Sequence, residues 1–196
     1  MLLRVSHLTR YDYTQEVAFA PHLLYLRPRE TPLHRLRSFR YVLTPDARVV
    51  ATADAQDNVA LRAHFWDRAR ALNIRTEFEL ETLDANPFDF LLKPSAVNFP
   101  FAYSASERFA LGPYLAPPSD RTQAELRGWL ATQLPSAPVE TVAFLIAVNE
   151  LLQARIRYTR REESGIQPSA ETIALGSGSC RDSAVLLTEL CRTFGL

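Results

Sequence analysis

Gly176-Ser177-Gly178-Ser179-Cys180-Arg181-Asp182 is the stretch of this 196-residue chain whose residue types and spacing could do chemistry. Ser179 and Asp182 have the S-x-x-D spacing of a capping box, which predicts a helix that begins at Cys180. In the first helical turn, free backbone N–H groups and the helix dipole stabilise an anion, and the thiolate is the reactive form of cysteine. Arg181 adds positive potential, while Gly176 and Gly178 permit tight turns and close approach of a substrate. Helical phase, at about 100° per residue, puts Cys180 on one face with Ala184, Leu187, Cys191 and Phe194. That face is apolar, so the sulfur is expected to point into the protein at the helix start, beneath whatever covers it. Such a sulfur in a partly closed cleft suits acyl transfer through a thioester. A lone cysteine on an apolar face is also an ordinary small core residue, and position alone leaves both readings open. Cys191, deeper on the same stripe, reads as core packing.

The elements that must position this stretch separate by period. Residues 1–83 read as strands, with candidates beginning at Leu3 and continuing through Leu23–Leu26, Leu36–Leu43, Arg48–Ala53, Val59–Trp66 and Leu72–Leu83. A polar break is expected at Thr14-Gln15-Glu16. The last candidate alternates, Leu72, Ile74, Thr76, Phe78 and Leu80 on one face against Arg75, Glu77, Glu79 and Glu81 on the other. Separators at Pro45-Asp46, Asp54–Asn58 and Asp67-Arg68 suggest hairpins in an antiparallel β-sandwich rather than βαβ units. Residues 84–118 lack periodicity but hold many prolines and aromatics, Pro87, Phe88, Phe99 and Tyr114 among them, which predicts an extended connector packed along its neighbours.

From residue 119 to residue 196 the period is helical. Ser119 is a candidate N-cap for a helix with Leu126, Trp129, Leu130 and Leu134 as its stripe, ended by Pro135. A second helix is expected from about Ser136, with Pro138 in its first turn and Val142, Leu145, Ile146, Val148, Leu152 and Ile156 as its stripe. A short helix over Ser169–Leu175 follows, and the last one is expected to be still running at Gly195-Leu196. Arg157 to Glu163 reads as a solvated helix end, and Trp66 and Trp129 as core.

These residues also carry a resemblance. Gly165-Ile166-Gln167, Glu171 to Leu175, the stretch from Gly176 to Ala184 and Leu190 to Leu196 look like the opening of a bacterial transglutaminase-like core, in which G-x-C-R-D on a helix is the nucleophile motif. His7-Leu8-Thr9-Arg10-Tyr11-Asp12-Tyr13 and Asn86 to Leu92 resemble the β-rich N-terminal region of such proteins. The resemblance implies an α+β fold: an N-terminal antiparallel β-sandwich-like domain (1–83), the connector (84–118), and the helical first part of a papain/transglutaminase-like core (119–196). It implies Cys180 as nucleophile toward a glutamine-type carboxamide, with ammonia leaving and an amine or water accepting the acyl group. Papain-like enzymes often carry an amide donor upstream of the cysteine, so Gln167 reads either as an oxyanion donor beside the Cys180 N–H or as a solvated loop glutamine, and Tyr158 in the charge run is a candidate wall of the substrate cleft. The family's histidine base and orienting aspartate lie well after the cysteine helix. The four histidines here, His7, His22, His34 and His64, all precede it and read as surface or core-edge residues. The chain is therefore expected to be a fragment, inactive alone, of a parent acting on protein or peptide amides. Leu187 and Phe194 are expected to be partly uncovered, inviting dimerisation.

Composition sets the outer limits. Basic and acidic residues balance at 22 each and 47% of positions are hydrophobic, which speaks against a nucleic-acid or anionic-membrane partner. Lys93 is the single lysine, the other cations being arginine. No apolar run reaches the roughly 18 residues of a membrane span, and the N-terminus is too polar for a signal peptide. Cys180 and Cys191 on one helix would be about 16 Å apart, too far for a disulfide, and reduced thiols fit a cytoplasmic protein. No metal or cofactor pattern occurs, so none is expected. The rival function is a non-catalytic interaction module whose β-sandwich binds a partner chain.

Overall fold

The structure, a computed structural model, describes residues 1–83, 86, 89–136 and 139–196. Pro87, Phe88 and Pro138 lie outside the described residues. The chain divides into two compact units, Met1–Phe90 and Leu91–Leu196.

The described residues of the first unit form the strands β1 (Leu2–Val17), β2 (His22–Leu24), β3 (His34–Thr44), β4 (Ala47–Ala53), β5 (Val59–Phe65) and β6 (Ala69–Thr82). They form two antiparallel sheets, in the orders β1-β6-β3 and β2-β5-β4. The alternation read from β6 is realised. Leu72, Ile74 and Thr76 are buried, and they share a core with Leu43 of β3, Leu24 of β2, and Leu61 and Ala63 of β5, so both sheets contribute to one apolar cluster. Burying a side chain such as Leu72 contributes about 1.5–3 kcal/mol.

Three local expectations change. Among the described residues only the β4–β5 connection of the three is a hairpin, because β3 and β6 belong to the other sheet and the Pro45-Asp46 and Asp67-Arg68 corners pass between sheets. The polar residues 14–16 do not end β1; the strand runs through them and absorbs the irregularity as a register shift between Asp12 and Val17. Trp66 follows the end of β5 and is 72% exposed, not core.

The second unit holds α1 (Ala105–Leu115), α2 (Asp120–Gln133), α3 (Thr141–Arg155), β7 (Arg157–Tyr158), α4 (Ser169–Leu175), β8 (Ser177–Gly178) and α5 (Cys180–Thr193). Its core is Leu126 and Leu130 of α2, Phe144, Val148 and Leu152 of α3 with Ile156 after it, and Leu186 and Leu190 of α5. Ser119 caps α2 by accepting the Thr122 N–H. Helix α1 was not legible as a helix because it has no buried residue; its start is fixed by a capping box between Ser104 and Glu107. Within the expected connector, Phe99 stacks on Phe144 with ring centroids 4.4 Å apart.

The α3 stripe is Phe144, Val148, Leu152 and Ile156, and Ile146 is exposed. Helix α5 does not continue to the last residue. Leu196 N–H donates to the Cys191 carbonyl and Gly195 N–H to that of Arg192, with Gly195 at φ 78°, a Schellman closure.

Candidate active site

Cys180 is the first residue of α5, and the helix starts there because its neighbours leave the chain little choice. Ser179 Oγ accepts the Asp182 N–H at 3.4 Å, and Asp182 Oδ2 accepts from Ser179 N at 2.8 Å and Ser179 Oγ at 2.7 Å. The expected capping box is therefore present in both directions. Just upstream, α4 is closed by Gly176 at φ 59°, a left-handed conformation that favours glycine. Gly178 is needed for a different reason: a Cβ there would stand 3.0 Å from Asp182 Cβ and 3.4 Å from Thr172 Cγ2. Short β8 thus passes directly over the capping carboxylate.

The thiol itself is exposed, which corrects the expectation that it points inward. The buried stripe of α5 is Asp182, Leu186, Leu190 and Thr193. Cys180 lies about 160° round the helix from Asp182, so the stripe it heads, with Ala184, Leu187, Cys191 and Phe194, is the less covered one. Leu187 and Phe194 are half-buried at the edge of the core. A groove of about 280 Å³ opens along this face, lined by Ser183, Ala184 and Leu187 of α5 and by Asn149, Leu152, Gln153 and Ile156. Cys191 is half-buried, and burial pushes its thiol up.

Asp182 has no solvent exposure and is saturated with donors. Beyond the two bonds from Ser179, Oδ1 accepts the Gln167 backbone N–H at 2.9 Å, and Arg161 Nη1 lies 2.9 Å from both oxygens. Burial opposes the charge, but the bonds from Gln167 N, Ser179, and Arg161 outweigh it and hold the carboxyl far below the ordinary carboxylate range. The hydrogen bond to Asp182 in turn raises the Arg161 guanidinium against its own desolvation. Arg161 therefore does not belong to a solvated helix end. Helix α3 ends at Arg155, and the chain turns through β7, which pairs parallel with β8. The segment that follows is anchored at both feet, Arg161 and Gln167, by one carboxylate.

Gln167 is 4% exposed. Its side-chain Nε2 donates to Thr172 Oγ1 at 3.0 Å and to the Ser177 carbonyl at 2.9 Å, so both amide hydrogens have partners within the scaffold. Tyr158 is on β7, register partner of Gly178, and its side chain is 67% exposed. Arg181 is exposed beside Cys180. The four histidines are in the β unit, where His22 packs edge-on against Phe65 and His34 Nδ1 meets Thr31 Oγ1 at 3.2 Å. Among the described residues no group of three or more His, Cys, Asp or Glu could hold a metal ion, and no helix is long and apolar enough to cross a membrane.

Arg161 is the site residue that sequence reasoning missed. It lies 21 positions from its partner and inside a mixed charge run. The available signal was Asp182 itself, on the same stripe as Leu186 and Leu190, since a carboxylate on a buried face demands a cation or several donors.

Residues 3–81 match the family described as the bacterial transglutaminase-like N-terminal region. Among solved structures, that of a candidate cysteine protease from Cytophaga hutchinsonii is similar, with a TM-score of 0.68 and 12% sequence identity; the match covers 99% of this chain and 66% of that one. No curated protein matches. At that identity the likeness concerns the fold alone, an α+β architecture. The chain spans 66% of the length of the solved one.

Proposed function

We propose that Cys180 is the nucleophile of a transglutaminase-like cysteine enzyme whose substrates are protein or peptide amides, the histidine base and its aspartate being supplied outside these 196 residues. One observation carries this reading: an exposed cysteine occupies the first position of a capped helix, one turn from an open groove lined by Ser183, Ala184 and Leu187 of the same helix. Ser179 Oγ takes the Asp182 N–H, and the N–H groups of Cys180 and Arg181, which have no intrahelical acceptor, are the ones left for charge that develops beside the sulfur. The thiolate attacks the carbonyl carbon of a carboxamide, the C–N bond breaks, ammonia or an amine leaves with the proton from the base, and an amine or water then resolves the thioester. The Cys180 N–H is the oxyanion donor of this reading. Gln167 would have to release Thr172 or the Ser177 carbonyl to serve as a second one. Tyr158 is the proposed wall of the cleft. Two free thiols support a reducing, cytoplasmic compartment.

The test is made on the parent chain. Ammonia release from a glutamine-containing peptide, or cleavage of a peptide bond, should vanish in Cys180→Ala, and a thioester should appear as a mass increment on the intact wild-type protein. Full turnover in Cys180→Ala overturns the reading. The 196-residue chain alone should show no turnover; Cys180-dependent turnover from it would mean that the base lies within it. The second reading, an interaction module without catalysis, draws on the β unit: Leu3, Val5, Leu36, Phe39, Phe78 and Leu80 continue the inner face of the β1-β6-β3 sheet but remain half-buried or exposed.

A further inference from the structure

The Arg161–Asp182 pair has a consequence for the sulfur next to it. Asp182 is two positions along α5 from Cys180, a rise of about 3 Å, and its carboxylate is folded back over the helix start to bond Ser179 N and Oγ. A buried ionised carboxylate in that place opposes a second anion. The charge within reach that cancels it is Arg161, whose Nη1 touches both oxygens and whose side chain is only 17% exposed. Glu163 lies 3.6 Å from Arg161 Nε but is 73% exposed, so water screens it, and the exposed Arg181 is screened likewise.

We propose that Arg161 is a positioning residue for the nucleophile: by neutralising the buried Asp182 carboxylate, it leaves the partial positive charge of the α5 N-terminus free to stabilise the Cys180 thiolate. The inference rests on the reading of Cys180 as the nucleophile, but it concerns the reactivity of the thiol and can fail independently. Arg161 touches neither sulfur nor substrate. It acts through Asp182, and the pair together is electrically silent where either member alone is not.

The experiment uses the 196-residue chain and iodoacetamide at pH 7, with alkylation followed by mass spectrometry; cleavage after Arg181 separates Cys180 from Cys191. Arg161→Gln leaves the carboxylate uncompensated and should slow alkylation of Cys180 about three- to tenfold, whereas Asp182→Asn leaves the cation uncompensated and should speed it by a similar factor. Arg161→Lys keeps the charge and should stay within about twofold of wild type, and Arg161→Gln/Asp182→Asn together should return toward it. Both single variants weaken the contact between the two side chains, so a role confined to holding them together would move both rates in one direction. Rates that fall together, rise together as unfolding would produce, or do not change overturn the proposal. If Arg161→Gln does not fold by circular dichroism, Asp182→Asn and Arg161→Lys decide it alone: a rate that is not raised in the first, or is lowered well beyond twofold in the second, overturns it. Loss of turnover in Cys180→Ala of the parent chain is unaffected by any of these outcomes.

Discussion

Arg4 and Glu79 of the β unit meet at 2.7 Å with side chains 79% and 34% exposed, whereas at the head of α5 Arg161 meets a carboxylate with no exposure at all. The first arrangement is one of several across the outer face of the β1-β6-β3 sheet, such as Arg37 with Glu81, where water competes for every charge. The second removes a carboxylate from water and replaces each lost hydration contact with a named donor. Pairs of the first kind keep a sheet face soluble and specify little. A pair of the second kind is stabilising only while complete, and it dictates local geometry because no other arrangement satisfies the carboxylate. The apolar cores of the two units are alike in kind; their polar groups differ, and the candidate chemistry lies with the buried ones.

The largest effect should be common to both units. Leu72→Ala in the β unit and Leu186→Ala in the helical unit each remove a side chain with no exposure, and each should cost about 2–5 kcal/mol in urea unfolding. Trp129, half-buried in the helical unit, reports the second in a Trp66→Phe background. A cost below about 1 kcal/mol in one unit only would break the claim that the cores are alike.

Acid should then separate the units. The Asp182 carboxyl is depressed in the folded state, so its contribution is complete above the unfolded value of about 4 and is lost as pH falls through the folded value. The urea midpoint read by Trp129 should therefore fall below about pH 4, and Asp182→Asn should flatten that dependence while lowering the midpoint at pH 7. An unchanged slope in the variant would assign acid sensitivity to other carboxylates. Glu107, drawn down to about 2 chiefly by its bond from Lys93, titrates in the same unit, and Glu107→Gln serves as the control.

The smallest effects test the caps and the exposed pairs. Ser179→Ala removes one half of a capping box and should cost about 1 kcal/mol. Arg4→Gln should change stability by no more than about 0.5 kcal/mol, because its partner remains hydrated. Equal losses in these two variants would erase the distinction between an exposed ion pair and a cap bonded to a buried carboxylate.

What was legible in the sequence was what is local. Ser179 with Asp182, Ser119 before α2 and the alternation of β6 are settled by residues a few positions apart, and each stands as read. The pairing of β1 with β6, which joins Leu2 to Glu81, depends on contacts across the unit that no short window contains. The orientation of Cys180 was misjudged because Leu186 and Leu187 are both apolar and only packing decides which faces the core. Arg161 was hidden for the same reason as the β1 partner: its role exists only once Asp182 is buried.

Asp182 also works as a clasp. By accepting the Gln167 amide through Oδ1, it closes the backbone from Gln167 to its own position into a non-covalent ring that contains β8 and all of α4, and its bonds from Arg161 extend that ring upstream. Closing such a loop costs entropy once, and one release returns it all, so the ring should open as a unit rather than fray from its edges. The amide proton of Gln167, just ahead of α4 and held by Asp182 Oδ1, then exchanges with solvent only when the thiol-bearing end of α5 also comes undone.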